Sequence, residues 1–195
     1  MTAAGRPHID IQVVGAMSPL SIERDEITLS IALEMRNDGS AAAQGVALSL
    51  SLAPLVAPVR VGEGMRYPPG LRAMLSDLCD RSADSRPALL AMTGDAFDPR
   101  EARRTILDCA LPLNLLARPG ALFEDRTFLP ILFVCASYLS ATDRTFCQTG
   151  RAFQIRVRDP SNADLLHNPV FENLPLVPEH LVISWHESTG TFERG

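Results

Sequence analysis

The closest grouping of side chains with catalytic potential is Trp185-His186-Glu187-Ser188, near the end of the chain. An imidazole, a carboxylate and a hydroxyl are the groups used in general acid–base and nucleophilic catalysis. Neighbouring side chains of a strand point to opposite faces, however, so His186 and Glu187 do not easily serve one site. Trp185 is better explained as an anchor in the core. The segment therefore predicts the end of a strand rather than a catalytic centre.

Other catalytic motifs are absent from the sequence. It contains no G-x-S-x-G, no H-E-x-x-H and no complete glycine-rich nucleotide fingerprint, since Gly62-Glu63-Gly64 is only a fragment of the last. Asp108 and Asp143 could each act as an acid, but neither has an evident partner for general acid–base work. The catalytic residues of this chain are therefore unknown, and an active site assembled from distant loops stays an alternative.

The spacing of histidines and cysteines does not predict a metal site. The histidines are expected near strand ends or in coil, and the cysteines lack C-x-x-C spacing: His8, His167, His180, His186, Cys79, Cys109, Cys135 and Cys147. A zinc site needs closely spaced sets of such ligands. We predict no metal and no bound cofactor.

Two interpretations of the cysteines stay open. Free cysteine packs as a small hydrophobe, so Cys109, Cys135 and Cys147 are expected to be core thiols in apolar strands. Alternatively, Cys135 and Cys147 are symmetric about Ala141, and a hairpin turning there would place them opposite each other, as a disulfide requires. In a reducing cytoplasm the same pair would remain thiols.

The charge balance argues against nucleic acid as a partner. The 195-residue chain has a net charge of −5, and its 18 basic residues are all arginines. Affinity for nucleic acid depends on clustered positive charge. Without lysine there is neither a Schiff-base lysine nor the lysine of a phosphate-binding loop. Arg103-Arg104 and the Arg151, Arg156 and Arg158 group are interpreted as solvated strand faces.

The strongest structural pattern is a pair of alternating runs within residues 26–52. The apolar residues of the two runs are Ile27, Leu29, Ile31, Leu33 and Met35, and then Val46, Leu48, Leu50 and Leu52. A period of two indicates half-buried strands. Asn37-Asp38-Gly39 lies between the runs and is typical of a tight turn with positive backbone dihedrals. The segment predicts a β-hairpin.

An insertion at 53–102 interrupts the strands and is rich in proline and glycine. We expect a strand near 56–61, a short helix at 70–79 and a helical turn at 87–92. The expected helix carries an apolar stripe of Leu71, Met74, Leu75 and Leu78 at helical spacing. This stripe either packs over an open end of the sandwich or forms an interaction surface for a protein partner.

The segment at 99–111 fits a strand or a helix. Asp98-Pro99, followed by Glu101, resembles a helix start, whereas the following residues at 105–111 are rich in strand formers. We favour a turn followed by a strand, because Pro112 and another strand soon follow.

The remaining elements complete a single predicted domain over residues 1–195. We expect a first strand at 8–14, a buried strand at 129–138, a turn at 140–144, a long strand at 145–157, a coil at 159–179 and a last strand at 180–186. About seven strands at this spacing are typical of an all-β, immunoglobulin-like two-sheet sandwich with a short helical insertion.

Two resemblances accompany this pattern. The segment from Met35 to Leu48, with its N-x-G-x-x-x-A-x-x-V-x-L turn, resembles bacterial immunoglobulin-like sandwich modules, including the cell-adhesion-related type. The C-x-x-Y strand at 135–138, with Gln148-Thr149-Gly150 and Phe153, resembles a group of uncharacterised bacterial proteins. That group has two histidines where this chain has Phe146-Cys147. The resemblances imply a sandwich fold and bring no established activity.

The leading functional hypothesis is a non-catalytic protein-binding or assembly module that presents the 53–102 insertion or an edge strand to a protein partner or to a second copy. The alternatives are a hydrolase with a loop-built active site and a carbohydrate- or ligand-binding module. The sequence shows neither a secretory signal nor an apolar stretch long enough to span a membrane, so a cytoplasmic location is expected.

Overall fold

The computed structural model describes residues 5–62, 64–66, 69–83, 96–186 and 191–194. The strands in this part of the chain are β1 (Ile9–Ala16), β2 (Ser21–Glu23), β3 (Glu26–Asn37), β4 (Ala43–Pro54), β5 (Val59–Val61), β6 (Gly64–Arg66), β7 (Ala102–Pro112), β8 (Pro130–Ser140), β9 (Phe146–Arg158), β10 (Leu166–His167), β11 (Leu181–Trp185) and β12 (Phe192–Arg194). The helices are α1 (Leu71–Ser82) and α2 (Leu113–Leu116), and 3₁₀ turns cover Phe171–Asn173 and Pro178–His180. Two antiparallel sheets with few helices confirm the predicted all-β, sandwich-like class.

The first sheet is built around β3. β7 pairs with β3 over its whole length without a register shift, from Glu26 opposite Pro112 to Arg36 opposite Ala102. β1 and β2 share the other edge of β3. Along β3, residues at 27, 29, 31, 33 and 35 are buried and those at 26, 28, 30, 32 and 34 are half-buried. The alternation of the sequence therefore marks the inward face correctly.

The second sheet has β8 and β9 at its centre. β4 pairs with one edge of β8, and β9 pairs with the other. The far edge of β9 carries β11 and β12, while β10 pairs with its end. All 11 residues of β8 are buried, because both of its faces are covered.

The main core lies between the two sheets. It unites buried residues of the first sheet, such as Leu29 and Ile31, with those of the second sheet, such as Leu132 and Val134. A second cluster lies on the outer face of the second sheet, where α1 packs on alternate residues of β8. The helix thus covers a sheet face instead of the open end of the sandwich that the sequence suggested.

The predicted β-hairpin is wrong. β3 and β4 do not pair with each other, because β3 belongs to the first sheet and β4 pairs with β8 in the second. The chain crosses between the sheets after Asn37, so the two alternating runs contribute to the same core from opposite sheets. Alternation reports which side of a strand is buried, and it is the same for a hairpin and for such a crossing.

Asn37 holds this crossing in place. Its side chain is fully buried, and its amide nitrogen donates to the carbonyl oxygens of Ala41 at 2.9 Å and Phe97 at 2.8 Å. Its amide oxygen accepts hydrogen bonds from the backbone N–H groups of His8 and Gly39. A buried amide with these four bonds has its main hydrogen-bonding capacity satisfied. Asn37 therefore ties three separate segments together at the corner.

Gly39 is needed at this corner for space. A Cβ atom there would lie 2.4 Å from the carbonyl oxygen of Arg6 and from the backbone nitrogen of His8. The positive backbone dihedrals expected for the turn do not occur, since the residues with positive φ lie elsewhere. The glycine therefore permits a close approach of two backbones.

Most of the other expected elements are present with shifted bounds. The helix expected at 70–79 is α1, the segment at 99–111 forms a turn followed by β7, and the long strand expected at 145–157 is β9. The coil expected at 159–179 also contains β10 and 3₁₀ turns. The strand expected near 56–61 is confined to β5. The helical turn expected at 87–92 lies outside the described residues.

No helix within the described ranges is long and apolar enough to cross a membrane.

Candidate functional site

The stripe that the sequence offered as an interaction surface faces inward. Leu75 and Leu78 are 0% and 6% exposed, and they pack on the outer face of the second sheet. Leu71 and Met74 are partly buried against the same cluster. The stripe attaches α1 to the sheet, as the packing interpretation expected, and Leu75 and Leu78 are not available to a partner. For these two residues the predicted role in binding is therefore wrong.

A disulfide joins the same helix to the same sheet, between Cys79 of α1 and Cys135 of β8. Both interpretations of Cys135 are therefore wrong: it is not a core thiol, and it does not pair with Cys147. Across the β8–β9 hairpin, Cys147 lies opposite Tyr138, whereas Cys135 lies opposite Gly150. Because Gly150 has no side chain, the helix can approach closely enough for the Cys79 sulfur to reach Cys135.

The two remaining cysteines are buried thiols. Burial raises the pKa of the Cys109 thiol to about 12, with a smaller contribution from the nearby Asp108 carboxylate. Burial also raises the pKa of Cys147, and Arg6 partly opposes this shift. A thiol with a raised pKa is a poor nucleophile. Both cysteines therefore fit the structural role predicted for core thiols.

A buried polar cluster closes the C-terminal end of α1. The Gln148 amide nitrogen donates to the carbonyl oxygen of Cys79 at 2.6 Å and to the hydroxyl oxygens of Ser82 and Ser137, each at 3.1 Å. The two serine hydroxyls are 2.9 Å apart. Hydrogen bonding makes such groups tolerable in a protein interior. The cluster is part of the attachment of the helix.

Of the Trp185-His186-Glu187-Ser188 grouping near the C-terminus, the structure describes Trp185 and His186. Glu187 and Ser188 lie outside the described residues. Trp185 is 44% exposed, so the prediction that it anchors the core is wrong. The guanidinium of Arg151 lies 5.6 Å from its ring centroid and forms an ion pair with Asp10. Trp185 therefore packs over an ion pair at the side of the sandwich where β1 and β11 run close together.

The remaining candidate residues are scattered. His8 lies 3.7 Å from Glu193, and His167 lies 3.1 Å from Asp159. Among the residues that the structure describes, no three His, Cys, Asp or Glu side chains are grouped as a metal site requires.

The two aspartates proposed as acids serve structural contacts. The Asp143 carboxylate accepts a hydrogen bond from the backbone N–H of Thr145, and this bond and those of neighbouring hydroxyls lower its pKa to about 2. Asp108 accepts a hydrogen bond from the Ser30 hydroxyl on the outer face of the first sheet. A carboxylate whose pKa is about 2 is ionised near neutral pH and does not act as a general acid there.

A cleft of about 370 Å³ opens beside the ends of β8 and β12. Its lining includes Arg6, His8, Tyr138, Cys147, Glu193 and Arg194. The charged groups are largely engaged, since Arg194 pairs with Asp80 and His8 approaches Glu193. The Tyr138 hydroxyl is 3.0 Å from that of Thr149, and burial raises its pKa. The Tyr138 hydroxyl and the Cys147 thiol are therefore not activated as nucleophiles, and the buried Oε1 atom of Gln148, which also lines the cleft, has no hydrogen-bond partner.

β7 is one of the edge strands of the sandwich, so the backbone groups along one of its sides have no ladder partner among the described residues. In the described part of the chain, β7 pairs with β3 alone. The N–H of Leu113 donates to the Asp25 carbonyl, and the N–H of Asn37 donates to the Glu101 carbonyl. Hydrogen-bonded pairs alternate along an antiparallel ladder. Odd-numbered residues of β7 therefore bond to β3, and even-numbered residues direct their N–H and C=O groups to the open edge.

The side chains of the even-numbered residues form the outer face of β7. All five from 102 to 110 are exposed: Ala102, Arg104, Ile106, Asp108 and Ala110. Ile106 is 59% exposed, the largest value among the exposed large hydrophobic residues described. Arg104 forms a 2.7 Å ion pair with Glu34 of β3. The candidate site is this edge strand with its outer face.

Sequence reasoning missed this site in part. It favoured a strand at 99–111 and named an edge strand as a docking element, but it did not say which strand lies at an edge. The alternation of Arg104, Ile106 and Asp108 shows that they share a face once a strand is assumed. The position of that strand in its sheet depends on pairings between distant segments.

Comparisons with protein-family models, curated proteins and solved structures find no match for this chain.

Proposed function

We propose that the protein is a non-catalytic protein-binding or assembly module, built on an immunoglobulin-like sandwich of the kind that the sequence resembles. It binds by strand addition, in which an extended segment of a partner pairs with the open edge of β7. The observation that carries this proposal is the row of N–H and C=O groups on even-numbered residues of β7, which have no partner among the described residues.

β7 is better suited to strand addition than the other long edge strands. β1 has a register shift between Val13 and Gly15, and it runs close to β11 of the other sheet, just as β7 runs close to β4. β4 has a register shift between Gln44 and Ala47. Such irregularities protect sheet edges from pairing. β7 keeps one register with β3 from end to end, so a partner strand can follow it without interruption.

The energetics of strand addition favour this edge. An unpaired edge strand forms main-chain hydrogen bonds to an added strand, each worth about 0.5–1.5 kcal/mol net. The exposed side chain of Ile106 supplies apolar area at the middle of the strand, and burying such a side chain fully is worth about 1.5–3 kcal/mol. Main-chain bonds thus provide affinity, and the outer-face side chains select the partner.

The disulfide bears on where such a module works. Cytosolic thiols are kept reduced, whereas disulfides persist in oxidising compartments. The Cys79–Cys135 bond therefore favours an oxidising compartment over the cytoplasmic location expected from the sequence.

Two substitutions at one position test the proposal. Ile106→Pro removes the N–H that points to the open edge and places the proline ring there, while the odd-numbered ladder to β3 is left intact. Ile106→Thr keeps the N–H and the strand preference, so it controls for loss of the isoleucine side chain. Both full-length variants and the wild type serve as bait in an extract of the source cell, with cross-linking and mass spectrometry.

We expect one set of proteins, other molecules or further copies of this chain, to be retained by the wild type and by Ile106→Thr and lost with Ile106→Pro. Circular dichroism and thermal unfolding verify that all three baits are folded. Equal retention by the threonine and proline variants would contradict strand addition at β7, and so would the absence of any retained protein.

A further inference from the structure

The charge pattern on the outer face of β7 is complementary to that of a second copy placed antiparallel to it. In the direction of the chain its residues are Ala102, Arg104, Ile106, Asp108 and Ala110. Reversing this order exchanges the positions of arginine and aspartate and leaves alanine and isoleucine in place. Two such strands in antiparallel orientation, centred on Ile106, therefore place each arginine opposite an aspartate of the other copy.

We propose that β7 pairs with β7 of a second copy of this chain, in an antiparallel register centred on Ile106. This inference rests on the proposed function and names its partner. The two first sheets then join into one continuous sheet across a twofold axis. Such an isologous contact uses the same patch on both subunits and closes as a dimer.

The backbone of β7 supports the same register independently of its charges. Antiparallel strands exchange both hydrogen bonds between residues whose N–H and C=O groups face each other. In the proposed register Ile106 opposes Ile106, and Arg104 opposes Asp108, so every pair joins two even-numbered residues. The even-numbered residues are those with groups on the open edge. A register shifted by one residue on one strand would pair even-numbered with odd-numbered residues and lose these bonds.

The ends of β7 fix the length of the contact. Pro112 has no N–H to donate, so the ladder stops before it. In the proposed register Ala110 opposes Ala102 of the other copy, which is the first residue of β7. The longest ladder without proline thus coincides with the charge-matched register. The two copies of Ile106, each 59% exposed in the single chain, lie side by side at the centre.

The charge pairs are available for contact across the edge. The Arg104 side chain is 72% exposed, and its Nε atom is the one that binds Glu34. The terminal nitrogens of the guanidinium are free to meet a second carboxylate, because arginine offers five donors. Opposite charges that face each other across antiparallel strands stabilise the pair, and like charges destabilise it.

Complementary charge reversals test the proposal on the purified full-length protein. Arg104→Asp makes both charged positions of the outer face acidic, and Asp108→Arg makes both basic. Each variant alone opposes like charges at both ends of the ladder, so its dimer should be roughly ten- to thirtyfold weaker than that of the wild type. A mixture of the two variants opposes Asp with Arg at every position, so a heterodimer should form with an affinity near that of the wild type.

Sedimentation velocity over a range of protein concentrations measures the association, and native mass spectrometry identifies the heterodimer by mass. Asp164→Arg is the matched control, because it makes the same change of charge at an exposed loop residue away from β7. It should dimerise like the wild type. Circular dichroism verifies that each variant is folded.

Two results would overturn the inference. One is a wild-type protein that stays monomeric at all concentrations, and the other is a dimer whose affinity neither single reversal changes. In either case the proposed function keeps its own test, since the Ile106→Pro and Ile106→Thr baits can still differ in the other proteins that they retain. Failure of strand addition itself would appear there as equal retention by both baits.

Discussion

The outer face of the second sheet is covered by a helix, whereas the outer face of β7 in the first sheet is exposed. On the second sheet, α1 covers β8 with Leu75 and Leu78 and is joined to it by the Cys79–Cys135 disulfide. On the first sheet, the outer face of β7 is exposed, with Ile106 at its middle, and the backbone groups along its edge have no partner among the described residues. The two sheets share the main core between them. They differ in whether an element packs on the outer face.

This difference separates stability from recognition. A covered face contributes buried apolar area to folding, whereas an exposed face contributes little until something binds to it. Natural sandwiches usually protect long edges, and within the described part of the chain the edge of β7 is left without such protection. Changes on the covered face should alter stability, and changes on the open face should alter association.

Removing the disulfide on the covered face should have a large effect on stability. Replacing both cysteines, Cys79→Ala with Cys135→Ala, should lower the free energy of unfolding by about 2–4 kcal/mol, because the bond closes a long loop in the unfolded chain. Urea unfolding followed by circular dichroism measures the change. A reductant should destabilise the wild type and leave the double variant unaffected. Unchanged stability of the double variant without reductant would show that the bond does not hold the helix in place.

The two faces can be compared directly with one type of truncation. Leu75→Ala leaves a cavity beneath α1 and should cost about 2–5 kcal/mol of unfolding free energy. Ile106→Ala removes an exposed side chain and should change stability by less than about 0.5 kcal/mol. Both are measured by urea unfolding at low protein concentration, where self-association does not contribute. Similar costs at the two positions would remove the distinction between a covered and an open face.

The close contact between helix and sheet predicts a smaller effect for a substitution at Gly150. A Cβ atom at Gly150 would lie 3.0 Å from the Cys79 sulfur and from Leu75 Cδ1, so Gly150→Ala should cost about 1–3 kcal/mol by overpacking. Gly15→Ala is the matched control in β1, because nothing lies within 4 Å of a Cβ atom there. Thermal unfolding measures both. A tolerated alanine at 150 would mean that α1 is free to move away from the sheet.

Local patterns predicted much of the fold. Alternation identified the inward residues of β3, helical spacing identified α1, and the strand formers after Pro99 identified β7. These predictions succeed because the period of apolar residues reflects the geometry of each element by itself. The same patterns could not distinguish a hairpin from a crossing between sheets at Asn37, since both bury the same side of each strand.

For the candidate site, too, local patterns could not tell which segments contact each other. The sequence named Leu71, Met74, Leu75 and Leu78 as an interaction surface, because an apolar stripe looks the same whether it meets a sheet or a partner. The sequence also suggested a hairpin centred on Ala141, with Cys135 opposite Cys147. The β8–β9 register instead places Tyr138 opposite Cys147. A shift of the turn centre by one or two residues is enough to change every cross-strand pair.

The sequence by itself determined the all-β class, the inward side of β3 and the burial of β8. Only the tertiary structure decided that β3 and β4 lie in opposite sheets, that Cys79 meets Cys135, and that β7 lies at an edge of its sheet in the described part of the chain. The reason is physical. The periodicity of apolar side chains depends only on residues that are close together in the sequence. Strand pairing and edge positions depend on contacts between distant segments that compete for the same core.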